Sequence, residues 1–217
     1  MFIRWNHWLL SDFCIPYKMK LTFLIILSIF SCLLIGQENY YPQNYFRSPM
    51  DIPIYLAGNF GELRTNHFHA GIDIKTQGVE GKKIYAVADG YVSRIKVQHG
   101  GYGKVVYIDH PNGYTTAYAH LKEFSSKIDS FAKKEQYKNQ SFTFNWYPEP
   151  NQIPVKKGEV IALSGNTGRS GGPHLHYEIR ETKSEHPLNV LLFGMPIKDN
   201  IKPIIRGIRI YPLDDES

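Results

Sequence analysis

The chain has 217 residues, 42% of them apolar, and a formal net charge of +5, enough for one sizeable domain with an appendage. Without the first 36 residues the balance is 22 basic to 19 acidic, too mild and dispersed for a nucleic-acid partner, though it suits attraction to anionic surface polymers. Cys14 and Cys32 both lie in that N-terminal part. The remainder has no disulfide and no thiolate ligand, so a metal site must use histidine and carboxylate, a donor set that favours zinc.

Leu21 to Gly36 is an almost unbroken apolar run, shorter than the roughly 20 residues of a membrane span. Met19-Lys20 precedes it. Residues 1–36 therefore read as an N-terminal extension and a secretory signal peptide with translation starting at Met19. Export to the periplasm or cell envelope is expected, with membrane contact only through this segment. Phe30-Ser31-Cys32 fits a lipoprotein box poorly.

Residues 37–50 are polar, aromatic and proline-containing, a linker or a strand leading into the domain. From 51 to 190, short β-type runs alternate with turn residues, predicting a mainly β, antiparallel domain. Ile84–Ala88 and Tyr91–Val97 flank Asp89-Gly90 as a predicted hairpin. Val105–Asp109 and Tyr114–His120 flank His110-Pro111-Asn112-Gly113, where Asn-Gly suits a type I′ turn. Lys122–Gln140 instead carries apolar residues at helical spacing (Phe124, Ile128, Phe131), and Ser141–Trp146 resumes strand character. Residues 122–154 are thus an expected insertion holding a short helix and an extra strand. Val160–Ser164 and His174–Arg180 flank a Gly-rich loop. Residues 191–217 read as a C-terminal extension, the exit from the domain and the first strand of something further.

If His69–Ile74 is extended, His69, Gly71 and Asp73 share one face, with Gly71 leaving space for an ion or substrate. By the same parity His174, His176 and Glu178 share a face opposite Leu175, Tyr177 and Ile179. Thr116, Tyr118 and His120 alternate with Ala117 and Ala119. These segments can bring His69, Asp73, His120, His174 and His176 to one groove. A catalytic zinc takes three such protein ligands and keeps one position for water. By parity His67 is either an alternative ligand or a groove residue; His99, His110 and His186 sit by turns and loops and read as structural or solvated.

His69-Ala-Gly-Ile-Asp73, Val87-Ala-Asp-Gly-Tyr-Val92, Tyr118-Ala-His-Leu121 and Ser164-Gly-Asn-Thr-Gly-Arg169, followed by Gly172-Pro-His-Leu-His-Tyr-Glu178, resemble the M23 (LytM/lysostaphin-type) zinc metallopeptidases. The resemblance covers about residues 50–190. It implies an antiparallel β-fold with a groove across a central sheet and a peptidoglycan peptide as substrate. It also implies one zinc ion held by His69, Asp73 and His176, with His120 and His174 as the unliganded catalytic pair. Which of the two is the base stays open. Some members carry a tyrosine shortly before the first ligand; Phe60–Asn66 has none. A non-catalytic relative that activates another wall hydrolase is the alternative. A monomer is expected.

Overall fold

The computed structural model describes residues 41–197 together with 204, 205, 207 and 208. The expected signal segment, the Met19 start, both cysteines and most of the 191–217 extension lie outside the described residues. No helix among the described residues is long and apolar enough to cross a membrane.

The strands are β1 (Leu56–Gly58), β2 (Ile72–Lys75), β3 (Lys83–Tyr85), β4 (Gly90–Val97), β5 (Lys104–Asp109), β6 (Tyr114–Ala119) and β7 (Leu121–Phe124). Helix α1 (Ser126–Asn139) follows, then β8 (Phe144–Trp146), β9 (Pro154–Val155), β10 (Val160–Ser164), β11 (His174–Glu181) and β12 (Pro187–Leu188). The larger sheet runs β1-β2-β11-β6-β5-β4-β8, with β12 beside β11 and β9 beside β4; a smaller one runs β3-β10-β7. The named pairings are antiparallel. The expected mainly β architecture with one short helix is therefore present.

One face of the larger sheet packs on the smaller sheet and α1. Ile72, Ile74, Val92, Ile95, Ile108, Tyr118, Leu175, Tyr177 and Ile179 meet Ile84, Leu121 and Ile161 there, all fully buried or nearly so. The other face carries a small cluster, Val105, Tyr107, Ala117 and Ala119, and is free to hold polar groups. Alternation along β11 thus works as read: Leu175, Tyr177 and Ile179 supply the core, and His174, His176 and Glu178 stand on the opposite face.

Three local readings need correction. The Asp89-Gly90 hairpin does not form, because β3 joins the smaller sheet and β4 the larger. Between them Asp89 accepts the Lys157 backbone N–H at 2.8 Å, and a Cβ at Gly90 would lie 2.2 Å from the Asp109 carbonyl oxygen. The β5–β6 hairpin does form, yet only Gly113 of its Asn-Gly pair has positive φ. A type I′ turn needs positive φ at both central residues. Pro111 instead sits second in the 110–113 turn, closed by Gly113 N–H to the His110 carbonyl. The helix is shorter than 122–140, since Phe124 belongs to β7; Ile128 and Ala132 form its buried stripe, and Phe131 stacks on Trp146 of β8.

Both flanks of the 51–190 segment pack on its core. Phe46 and Met50 are buried, and Val190, Phe193 and Met195 close over the same cluster.

His110 is structural, as read. Its Nδ1–H donates to the Asp89 carbonyl (2.9 Å), its Nε2 lies 2.8 Å from Thr116 Oγ1, and burial pushes its titration below the ordinary histidine value. An unfolded histidine titrates near about 6.5. Below that pH the unfolded chain binds the extra proton, so stability falls as pH drops. Thermal midpoints measured between about pH 7.5 and 5 should therefore fall more steeply for the natural chain than for His110→Gln.

Candidate metal centre

The centre is made where β2 and β11 pair, with Asp73 directly opposite His176. This register puts a carboxylate and an imidazole side by side, and His69, just before β2, closes the triangle. His69 Nε2, Asp73 Oδ1 and His176 Nδ1 lie 2.9–3.0 Å from one another. All three residues are buried and together could hold a metal ion. Zinc bonds of about 2.0–2.1 Å in tetrahedral geometry need ligand separations only slightly larger.

The remaining ring nitrogens decide which atoms are left to bind. His69 Nδ1–H donates to the Asn59 carbonyl (2.7 Å), and His176 Nε2–H donates to Glu178 Oε1 (2.7 Å). With those protons committed outward, two imidazole lone pairs and one carboxylate oxygen point at a common centre. Three converging acceptors repel unless a cation or shared proton lies between them, so the donor set suits a divalent ion. Such outward hydrogen bonds fix the tautomer and raise ligand basicity.

The charges agree. With a shared proton in place of a cation, hydrogen bonds from His174, His176 and His69 outweigh the burial of Asp73 and hold its carboxyl well below the usual range. Burial likewise opposes a charged His176, yet Asp73 and Glu178 on either side raise its value to about 9. The pocket is thus built to stabilise positive charge. Fully buried Glu178 is held ionised, with a value lowered to about 2 against the cost of burial, by His176 and Arg180. Arg180 Nε donates to its Oε2 at 2.5 Å, and the Tyr102 hydroxyl donates to its Oε1. The Tyr102 ring also stacks on His176, centroids 5.1 Å apart.

Asp73 Oδ2 accepts from Arg64 Nη2 at 2.9 Å, and Arg64 in turn meets Glu62. The stretch that lacks a tyrosine thus supplies a guanidinium. Two glycines permit these approaches. A Cβ at Gly58 would lie 2.3 Å from Arg64 Nη2 and 2.6 Å from Asp73 Oδ2. One at Gly71 would lie 2.2 Å from the Tyr177 carbonyl oxygen, so Gly71 makes room for β11 rather than for an ion or substrate.

His120 reaches the centre by breaking the parity that suggested it. Thr116 and Tyr118 point into the core, while Ala117 and Ala119 share the His176 face. Strict alternation would send His120 inward with Tyr118. Its φ of +57° turns the chain instead, an uncommon left-handed conformation for a non-glycine residue. Its Nδ1–H donates to the Thr167 carbonyl (2.8 Å), and its ring lies 4.7 Å from His174, centroid to centroid. Burial pushes His120 down to about 4, helped by the neighbouring His174 and His176. His174 Nδ1–H donates to the Gly172 carbonyl (2.8 Å), and its Nε2 stands 3.5 Å from Asp73 Oδ1.

A cleft of about 500 Å3 opens over these groups, lined by the 63–69 turn, Gly101 and Tyr102, and the 169–171 part of the Gly-rich loop. His67 is exposed in that cleft, beside Asn66 and outside the ligand triangle. All five candidate residues from the sequence are gathered. Glu178 was legible as a same-face neighbour two residues after His176; Tyr102, Arg64 and the Asn59 carbonyl carried no local signal. Because Glu178 orients His176, Glu178→Gln should weaken zinc affinity about 10–100-fold, read by competition with a chromophoric chelator.

The pattern of Peptidase family M23 matches residues 67–137 and 150–189. The DD-carboxypeptidase/endopeptidase Mpg of Neisseria meningitidis is 37% identical over 134 residues, 62% of this chain and 24% of its own length. The peptidoglycan DD-endopeptidase ShyA of Vibrio cholerae is 32% identical over 161 residues, 71% of this chain and 31% of its own. The chain thus spans about a quarter to a third of these relatives. A solved structure of a putative M23 peptidase from Pseudomonas aeruginosa shares the fold, with a TM-score of 0.50 at 21% identity over 85% of this chain and 65% of that one. With the family pattern spanning His69, Asp73, His120, His174 and His176, the chain belongs to peptidase family M23.

Proposed function

We propose that this chain is an exported zinc endopeptidase of the bacterial envelope that hydrolyses peptides of peptidoglycan. The observation that carries the reading is the triangle of His69 Nε2, Asp73 Oδ1 and His176 Nδ1 with two further imidazoles beside it in an open cleft. The wall-hydrolase names of relatives at 32–37% identity support the substrate class.

His69, Asp73 and His176 would hold the zinc. When bound, the ion would supply Lewis-acid chemistry, lowering the pKa of a bound water towards neutrality and polarising the scissile carbonyl. His120 and His174 keep their Nδ1 protons on backbone carbonyls, which leaves each Nε2 able to accept or return a proton. One ring would take the water proton at Nε2 and hand it to the leaving amine. The other would donate to the developing oxyanion when its Nε2 carries a further proton taken up from solvent. Tyr102 and Glu178 keep His176 in the tautomer that presents Nδ1.

The test is release of peptide fragments from purified peptidoglycan, followed by mass spectrometry, before and after chelation. Hydrolysis should vanish with the metal and return with added zinc. Zinc binding without cleavage, together with stimulation of a separate amidase, would overturn the reading in favour of a non-catalytic activator.

A further inference from the structure

The same sheet face holds a second cavity, of about 250 Å3, at the edge where the segment after β8 reaches over it. None of His69, Asp73, His120, His174 and His176 lines it. Arg94 on β4 and Asp109 on β5 both line it, with Tyr147 from the post-β8 segment.

Arg94 is held without being neutralised. Its Nε donates to Asn145 Oδ1 (2.7 Å), and its guanidinium carbon lies 5.0 Å from the ring centres of both Tyr107 and Tyr147. Among the described residues no carboxylate forms an ion pair with it. Arg180, also at the cavity, has its charge met by Glu178. Asp109 is the mirror case. Its Oδ1 accepts from Ser93 and Thr115 hydroxyls, both at 2.7 Å, while Oδ2 has only a long 3.4 Å contact from Tyr91. No described basic side chain pairs with it. One cation, Arg94, and one anion, Asp109, are therefore oriented by neutral partners and turned to the same small space, which Glu185 also borders. A guanidinium pinned between two aromatic rings offers its planar fork to a carboxylate. A carboxylate fixed by hydroxyls accepts from an ammonium. A plain anion would meet Asp109, and a plain cation would meet Arg94.

We propose that this cavity binds a free α-amino acid group, its carboxylate at Arg94 and its ammonium at Asp109. The site stands on its own charges and goes beyond the hydrolase reading. Arg180 is four residues along β11 from His176, a span of about 14 Å at strand rise, so one peptide in the cleft could also present such a group here.

The test titrates Nε-acetyl-lysine, a free α-amino acid on a neutral arm, into the full chain and follows backbone amide shifts. Saturable shifts are expected at Ser93, Arg94, Asp109 and Thr115. The methyl ester, which lacks the carboxylate, and the Nα,Nε-diacetyl compound, which lacks the ammonium, should each bind at least about tenfold more weakly. Arg94→Met and Asp109→Asn should do the same, and the two ligand analogues decide the matter without altering the protein. Absence of saturable binding, equal binding of either analogue, or shifts centred on His120 and His174 would overturn the proposal. Probe binding that survives chelation supports it even if the chain hydrolyses nothing, so the two readings fail separately.

Discussion

Replacing His176 with alanine should abolish zinc binding at the β2–β11 centre and reduce peptidoglycan hydrolysis to background while leaving the chain folded. The ring supplies one of three converging donors, and its loss removes a ligand rather than a supporting contact. The decline should exceed the about 10–100-fold that changes in outer hydrogen-bond partners cost. Folding survives for a specific reason: no buried charge is stranded. Asp73 keeps His69 and Arg64, and Glu178 keeps Arg180 and the Tyr102 hydroxyl. The β11 backbone ladder and the core residues Leu175 and Tyr177 are untouched. The stability cost should stay within about 1–3 kcal/mol, that of unpairing one buried polar group. Chelator competition, a thermal melt and fragment release read the three quantities separately. Natural-level zinc affinity in this variant would remove His176 from the ligand set.

The sequence was most readable where one strand both packs and binds. In β11 the apolar residues at odd positions and the His, His and Glu at even ones reveal buried and functional faces together, and the register against β2 then places Asp73 opposite His176. Reading failed where a single backbone angle or a distant partner decides. His120 lies beside His174, but alternation alone points it, with Tyr118, into the core; a positive φ at one residue reverses its direction. Nothing in a lone Tyr-Ala-His-Leu segment announces that angle. The Asp89-Gly90 hairpin failed for another reason. Turn chemistry is local, whereas membership of one sheet or another depends on β10, about seventy residues away. Arg64 and Tyr102 reach the centre through turns whose shape depends on Gly58 and on the packing of Gly103 against Gly168. Such close approaches are tertiary facts without a periodic signature.

The unliganded histidines give the second large effect. His120→Ala and His174→Ala should each lower kcat about 10^2–10^4-fold, the usual worth of a positioned acid or base, with zinc affinity preserved. Neither ring belongs to the ligand triangle, and each has its Nδ1 proton committed to a carbonyl of the 165–172 loop. Because the two rings, 4.7 Å apart, serve one proton transfer and its oxyanion, the double variant should lose far less than the product of the single effects. His120 also allows chemistry to be separated from strain. A non-glycine residue in the left-handed region costs about 1–2 kcal/mol, which glycine does not pay, although glycine gives part of that back through the freer unfolded chain. His120→Gly should therefore be as inactive as His120→Ala yet about 1 kcal/mol more stable, as read from denaturant midpoints. Equal stability of the two would mean that the strained conformation carries no cost here. An active His120→Gly variant would leave His174 as the sole proton carrier, because the ring, and not the backbone turn that aims it, is what the glycine removes.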